Sequence, residues 1–282
     1  MKKIKLISDS TCDLSKELIK KCNIDIVPLY VLFNKESYFD LVDINTEEMY
    51  KLVKKHNILP KTAAPSPGAF YDMFKKYLEQ GYQIIYIGIG SKISATLNSA
   101  KTAKNLLESE DIYLIDSCNL SAGTGLLLLK ATKYIEQGLV ITEIVHKIEE
   151  IVPKVRSQFV LKTLDYLYKG GRLTAIKALM GGLLKVKPII KVKDGVLAIG
   201  GKTKGSIKKG IDIMLNEFKS HQSEIDDEFV IVTHSLAHNS YIYAEEKIRN
   251  IKVIENLYVT DMGCVISSHC GKGTIGIIYI DK

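Results

Sequence analysis

The first half of the chain alternates two hydrophobic rhythms. The runs IKLIS, DIVPLYVLF, QIIYIGI and DIYLID each read as one strand, and between them apolar residues recur at helical spacing. Such strand–helix alternation predicts a mostly parallel sheet. Ser66-Pro67 predicts a capping serine followed by proline at the first helical position, with Gly81 closing that helix. A helix is predicted from Leu120 to Gln137, ended by Gly138. Thr142 is the predicted cap of the next, whose Val145, Ile148 and Val152 share a face.

The second half changes rhythm. Phe159 to Leu161 reads as strand, and LDYLYKGGRL as a short helix broken by two glycines. VKPIIKVKDGVLAIGGK predicts a hairpin around Asp194-Gly195, because Asp-Gly suits a turn in which both central residues take positive φ. A helix from Lys204 to Phe218, the strand FVIVTHS, a helix to Arg249, and the strands VIENLYV and IGIIYI complete the pattern. This predicts an α/β protein of two domains, residues 1–157 with a parallel sheet and 158–282 with a mixed sheet carrying helices on one side.

Composition narrows the functional classes. The chain has 282 residues, 46% hydrophobic and 25% charged, enough for a sizeable core. MKKIKLISDS lacks the apolar core of a signal peptide, and no apolar run approaches the length that crosses a bilayer, so a cytoplasmic protein is expected. Five cysteines without a C-x-x-C pair argue against a disulfide framework or a zinc knuckle. The formal charge of +7 is mostly scattered lysine, which argues against nucleic acid and is compatible with a transient contact at an anionic membrane surface.

Small polar residues gather where the predicted parallel strands end. They are Asp9-Ser10-Thr11-Cys12-Asp13, Lys61-Thr62-Ala63-Ala64-Pro65-Ser66, Gly90 to Thr96, and Ser117-Cys118-Asn119. Beyond the carboxyl ends of parallel strands is where such sheets take ligands. Any one cluster is also what helix caps look like, and Asp9 and Asp13 are read as turn and cap residues. Hydroxyls and helix N-termini can hold an anion without moving a proton. Neither nucleotide-loop pattern occurs in a strand-to-helix turn. In Ser268-His269-Cys270-Gly271, neighbouring side chains diverge by about 100° on a helix and face opposite ways on a strand. The tetrad therefore does not supply a nucleophile–base pair by itself. His234 is the other strand-end histidine that could approach Cys270.

Taken together, DSTCDL, TAAPSPGAF, KISATLNSA, DSCNLSAGTGLL, LDYLYKGGRL, LLKVKPII and SSHCGKGTIGI resemble the DegV family of bacterial fatty-acid-binding proteins, in family order over essentially the whole chain. The resemblance implies a three-layer α/β/α domain, a two-layer α/β domain, and a long-chain fatty acid in a tunnel between them. It implies a carrier without catalytic activity, cofactor or metal, which presents the acyl group to a fatty acid kinase subunit. Carried over by motif, Thr62, Ser94, Ser268 and His269 contact the carboxylate, and Arg172 stands at the tunnel mouth for the partner. Four positions depart from the family pattern: Ala63 for Ser, Ala95 for Gly, Cys270 for Thr and Lys272 for Pro. Two other readings stand beside this one. They are an enzyme dependent on His269, of dihydroxyacetone-kinase type, and an interaction protein with an empty cleft.

Overall fold

Pro28 divides what the sequence reads as one strand. Proline fixes φ and has no N–H for a ladder, and DIVPLYVLF becomes two strands of different sheets in the computed structural model, which describes residues 2–172 and 186–282. The chain begins with β1 (Ile4–Asp9), α1 (Lys16–Lys21), β2 (Ile24–Val27), β3 (Tyr30–Phe33), β4 (Glu36–Phe39), α2 (Thr46–His56) and β5 (Lys61–Ala63). It continues with α3 (Pro67–Leu78), β6 (Gln83–Gly88), α4 (Thr96–Leu107), β7 (Ile112–Asp116), α5 (Ala122–Glu136) and α6 (Ile141–Ile151). Strands β2-β1-β6-β7 form a parallel sheet, and β4-β3-β5 a small antiparallel one. Helices α3 and α4 cover one face of the parallel sheet, while α1, α5 and α6 pack on the other. That is three layers.

The rest runs β8 (Val155–Val160), α7 (Asp165–Lys169), β9 (Val186–Lys193), β10 (Val196–Lys204), α8 (Ile207–Ser220), β11 (Phe229–His234) and α9 (His238–Ile251). It ends with β12 (Asn256–Asp261), α10 (Cys264–Cys270) and β13 (Ile275–Ile280). Six strands form a mixed sheet in the order β10-β9-β8-β13-β11-β12, with α8 and α9 on one face. Asp194 and Gly195 both have positive φ, 51° and 78°, as the predicted hairpin turn requires. The division placed at 157/158 falls inside β8, the first strand of this sheet in chain order.

Several local expectations need correction. The cap of α6 is Val140, not Thr142, which lies inside the helix. Helix α8 starts at Ile207 because Ser206 Oγ accepts from Lys209 N–H. A helix, α10, occupies VISSHC, where no element was predicted; seven residues are too few to display a periodicity. The Gly181-Gly182 pair and the start of LLKVKPII lie outside the described residues.

Helix α5 explains how the two large sheets share a core. Ala122 through Ala131 are all buried, and a helix buried on every side must be enclosed by other elements. Its leucines pack with Ile85 and Ile87 of β6 and with Ile278 and Ile280 of β13 in one continuous cluster. Lys130, 5% exposed, lies on this helix and donates to Asp226 and Glu228, each at 2.6 Å, before β11.

Candidate functional site

A cavity lies between the end of the parallel sheet and the face of the six-stranded sheet not covered by α8 and α9. Ile89, Ile93 and Leu120 come from the loops after β6 and β7, Phe159, Ile190 and Leu197 from β8, β9 and β10. The small sheet contributes Thr62 and Ala63, and α10 contributes Val265, Ile266, His269 and Cys270. Among the described lining residues, the nitrogen- or oxygen-bearing side chains are Thr62, Ser94, Arg172 and His269. An enclosed apolar lining with a few polar groups is the ordinary chemistry of a small-molecule site.

Four of the five sequence-assigned residues therefore line one cavity. Thr62 Oγ1 and His269 Nε2 are 2.9 Å apart, joining β5 to α10. His269 Nδ1 is buried without a hydrogen-bond partner. A neutral ring with its proton on Nε2 leaves no buried donor unpaired and donates to Thr62. The threonine hydroxyl is then free to donate to an acceptor in the cavity. Burial, and secondarily the Arg172 guanidinium, push the His269 pKa down to about 4, so the imidazole is neutral near pH 7.

Ser94 plays a double part. Its Oγ accepts from Thr96 N–H at 3.3 Å and lies 2.8 Å from Thr96 Oγ1, at the start of α4, while lining the cavity. Ala95 has φ −77°, so no left-handed backbone is demanded where the family's glycine would stand, and alanine fits without strain. Arg172 is exposed, and its Nη1 donates to Gly170 O at 2.7 Å. Gly170 is glycine for close approach, since a Cβ there would stand 2.2 Å from His269 Nδ1. The bend and the imidazole are packed on each other.

Ser268 is the exception. On α10 it points away from His269, as a 100° step requires. Its Oγ donates to Cys264 O at 2.6 Å and meets Met49 Sδ at 3.2 Å, at 2% exposure, and it is absent from the cavity lining. Nor does His234 pair with Cys270. His234 stacks on Tyr241 at 4.5 Å in a different cleft. Burial pushes the Cys270 thiol up to about 12, so it is not a ready nucleophile. Among the described residues no group of three or more potential ligands could hold a metal ion.

The sequence reading missed the acids that hold α10 in place. Asp13 Oδ1 accepts from Gly263 N–H and Asp40 Oδ1 from Cys264 N–H, each at 2.8 Å. These side chains come from the first half of the chain and bind the amides at the start of α10. Asp13 also accepts from Ser121, and Asp40 from Ser10 at 2.9 Å. Asp9, read as a turn residue, accepts from Thr11 N–H and also from Tyr86 Oη and Ile89 N–H inside the core. Nothing in a local turn pattern distinguishes a buried aspartate from an exposed one.

Three-layer and two-layer units enclosing an apolar cavity with a few polar side chains define an α/β ligand-binding protein. Its lineage follows from comparison. The chain belongs to the DegV family, whose model, described as "Uncharacterised protein, DegV family", matches residues 3–282. A DegV domain-containing protein of Clostridium acetobutylicum is 39% identical over the full length of both chains. A solved DegV family protein from Thermus thermophilus, described by its fatty acid binding, superposes with a TM-score of 0.93 at 27% identity, covering 100% of both chains. A stearic-acid-binding protein from Eubacterium ventriosum gives a TM-score of 0.89 at 29% identity, covering 99% of this chain and 98% of the other. These solved relatives are named for binding a fatty acid, not for a catalytic activity.

Proposed function

We propose that this protein binds one long-chain fatty acid, with its tail in the apolar cavity and its carboxylate at Thr62, Ser94 and His269. The observation that carries this is the joining of an extended apolar lining to a single hydroxyl–imidazole pair, Thr62 with His269. A tail of palmitate size has about 14 methylenes, and burying them yields about 11 kcal/mol gross, much of which association and chain ordering take back. Affinity then comes from the tail, while neutral donors orient the head without a charged clamp. A reversible carrier needs that division. The names of the solved relatives support the same ligand class.

In this reading the protein is a cytoplasmic carrier that presents the carboxylate to a fatty acid kinase subunit, which forms the acyl-phosphate. Arg172, exposed beside the cavity in a Gly170-Gly171 bend, is the group offered to that partner. Native mass spectrometry and organic extraction of protein purified from cells test the ligand, with one fatty acid per chain expected. Ser94→Ala and Thr62→Val should each weaken binding roughly ten- to a hundredfold, the effect of losing one hydrogen bond to a charged acceptor. Stable protein that arrives empty and refuses both oleate and palmitate overturns the carrier reading. Arg172→Ala should keep fatty-acid binding and lose acyl-phosphate formation with the kinase.

A further inference from the structure

Strands β11 and β12 are parallel neighbours, whereas β11 runs antiparallel to β13 on its other side. Their last residues, His234 and Asp261, stand in register and open on a cleft between α2 and α9. It shares no lining residue with the cavity described above. Parallel strands followed by helices present helix N-termini beyond their carboxyl ends, a favourable place for an anion.

The cleft is furnished accordingly. Helix α9, fourteen residues long, begins after Ala237 with no side-chain cap, and Leu236, His238 and Tyr241 around its start line the cleft. Lys51 and Lys54, one turn apart on α2, line the opposite side, and exposed Lys272 completes it. His234 is 8% exposed, and its Nδ1 is buried without a hydrogen bond, 3.4 Å from Asp261 Oδ1. Its ring lies flat on Tyr241, 4.5 Å away and 8° from parallel, which fixes its plane. With Nδ1 turned to Asp261, the Nε2 edge is the one the cleft reaches. Glu47 and Asp261 are the carboxylates of the lining. Three amines outnumber them, and the positive end of α9 adds to the excess.

We infer that this cleft is a second ligand site, for a phosphate group, either free or as the monoester of a small molecule. Lys51, Lys54 and Lys272 neutralise its charge, and the first amides of α9 and Nε2 of His234 donate to its oxygens. His234 then carries both protons, one shared with Asp261 and one with the ligand. Burial, opposed in part by Asp261 and reinforced by His238, holds the empty imidazole's pKa below its usual value. Phosphate should raise it. The site stands independently of what fills the larger cavity.

Full-length labelled protein titrated with inorganic phosphate, and separately with glycerol phosphate, tests the inference by imidazole NMR at constant ionic strength. Saturable shifts at His234 and His238, with a raised His234 pKa, are expected. A Lys51→Ala/Lys272→Ala variant with unchanged melting should bind about tenfold more weakly or worse. Saturation by phosphate alone identifies the free anion, and tighter binding of the ester identifies a phosphorylated metabolite. Shifts that never saturate, that chloride reproduces, or that the double variant retains overturn the site.

Discussion

The imidazole of His269 spends one nitrogen on Thr62 and buries the other. Its pKa of about 4 in the folded chain lies below the ordinary 6.5, so the unfolded chain binds the extra proton between those values. Stability from this residue is complete above pH 6.5 and is lost as pH falls towards 4, by about 3 kcal/mol in all. His269→Gln should therefore gain stability relative to the parent protein between pH 7 and pH 4.5, measured as the difference in melting temperature. A bound carboxylate should raise the His269 pKa, read by NMR with and without oleate. Gln should be tolerated better than Ala in binding. At this scale the sequence was informative wherever a motif carries a side chain into the cavity, as with Thr62, Ser94, His269 and Arg172. Ser268 stands apart from that lining, because adjacency in sequence is divergence on a helix.

Helix α10 is held at its N-terminus by borrowed carboxylates. Asp40 is buried, and burial raises its pKa to about 6 despite the hydrogen bonds from Ser10 and Cys264. The folded chain here binds the extra proton between 3.8 and 6, so this residue contributes stability at low pH that is lost as pH rises through 6. Asp40→Asn should thus lose stability relative to the parent on acidification from pH 7 to pH 4.5, opposite in sign to the His269 variant. Asp40→Ala leaves buried Cys264 N–H unpaired and should cost about 1–3 kcal/mol, measured by denaturant unfolding, with weakened fatty-acid binding. The Asp194-Gly195 hairpin, the Pro67 helix and the parallel strands were legible because turn chemistry and hydrophobic period are local. The split had its local signal in Pro28 itself, but the small sheet and α10 had none. They depend on partners distant in the chain, such as Met262 and Met49, which no local window contains.

Across the whole molecule, α5 and the Lys130 cluster tie the first half of the chain to the second. Lys130 meets Asp226 and Glu228, and Lys133 also reaches Glu228. Removing the buried ammonium takes the lysine from Asp226 and leaves Glu228 with Lys133 alone, and breaking a buried pair costs at most about 3–5 kcal/mol. Lys130→Met should show this loss in denaturant unfolding near pH 7. The larger division of the fold was visible in the change of hydrophobic rhythm. The burial of one helix between two sheets was foreshadowed by GLLLLKAT, whose apolar run leaves no polar stripe.

That shared helix also limits how the cavity can be filled. Both walls rest on α5, and its buried lysine is fastened to the far side. Swinging the halves apart like a clamshell would tear a common core, so the fatty acid proposed for the cavity would have to thread lengthwise, tail first. The head group then comes to rest last, near the surface where Arg172 stands. In the proposed carrier, loading and presentation would share one doorway.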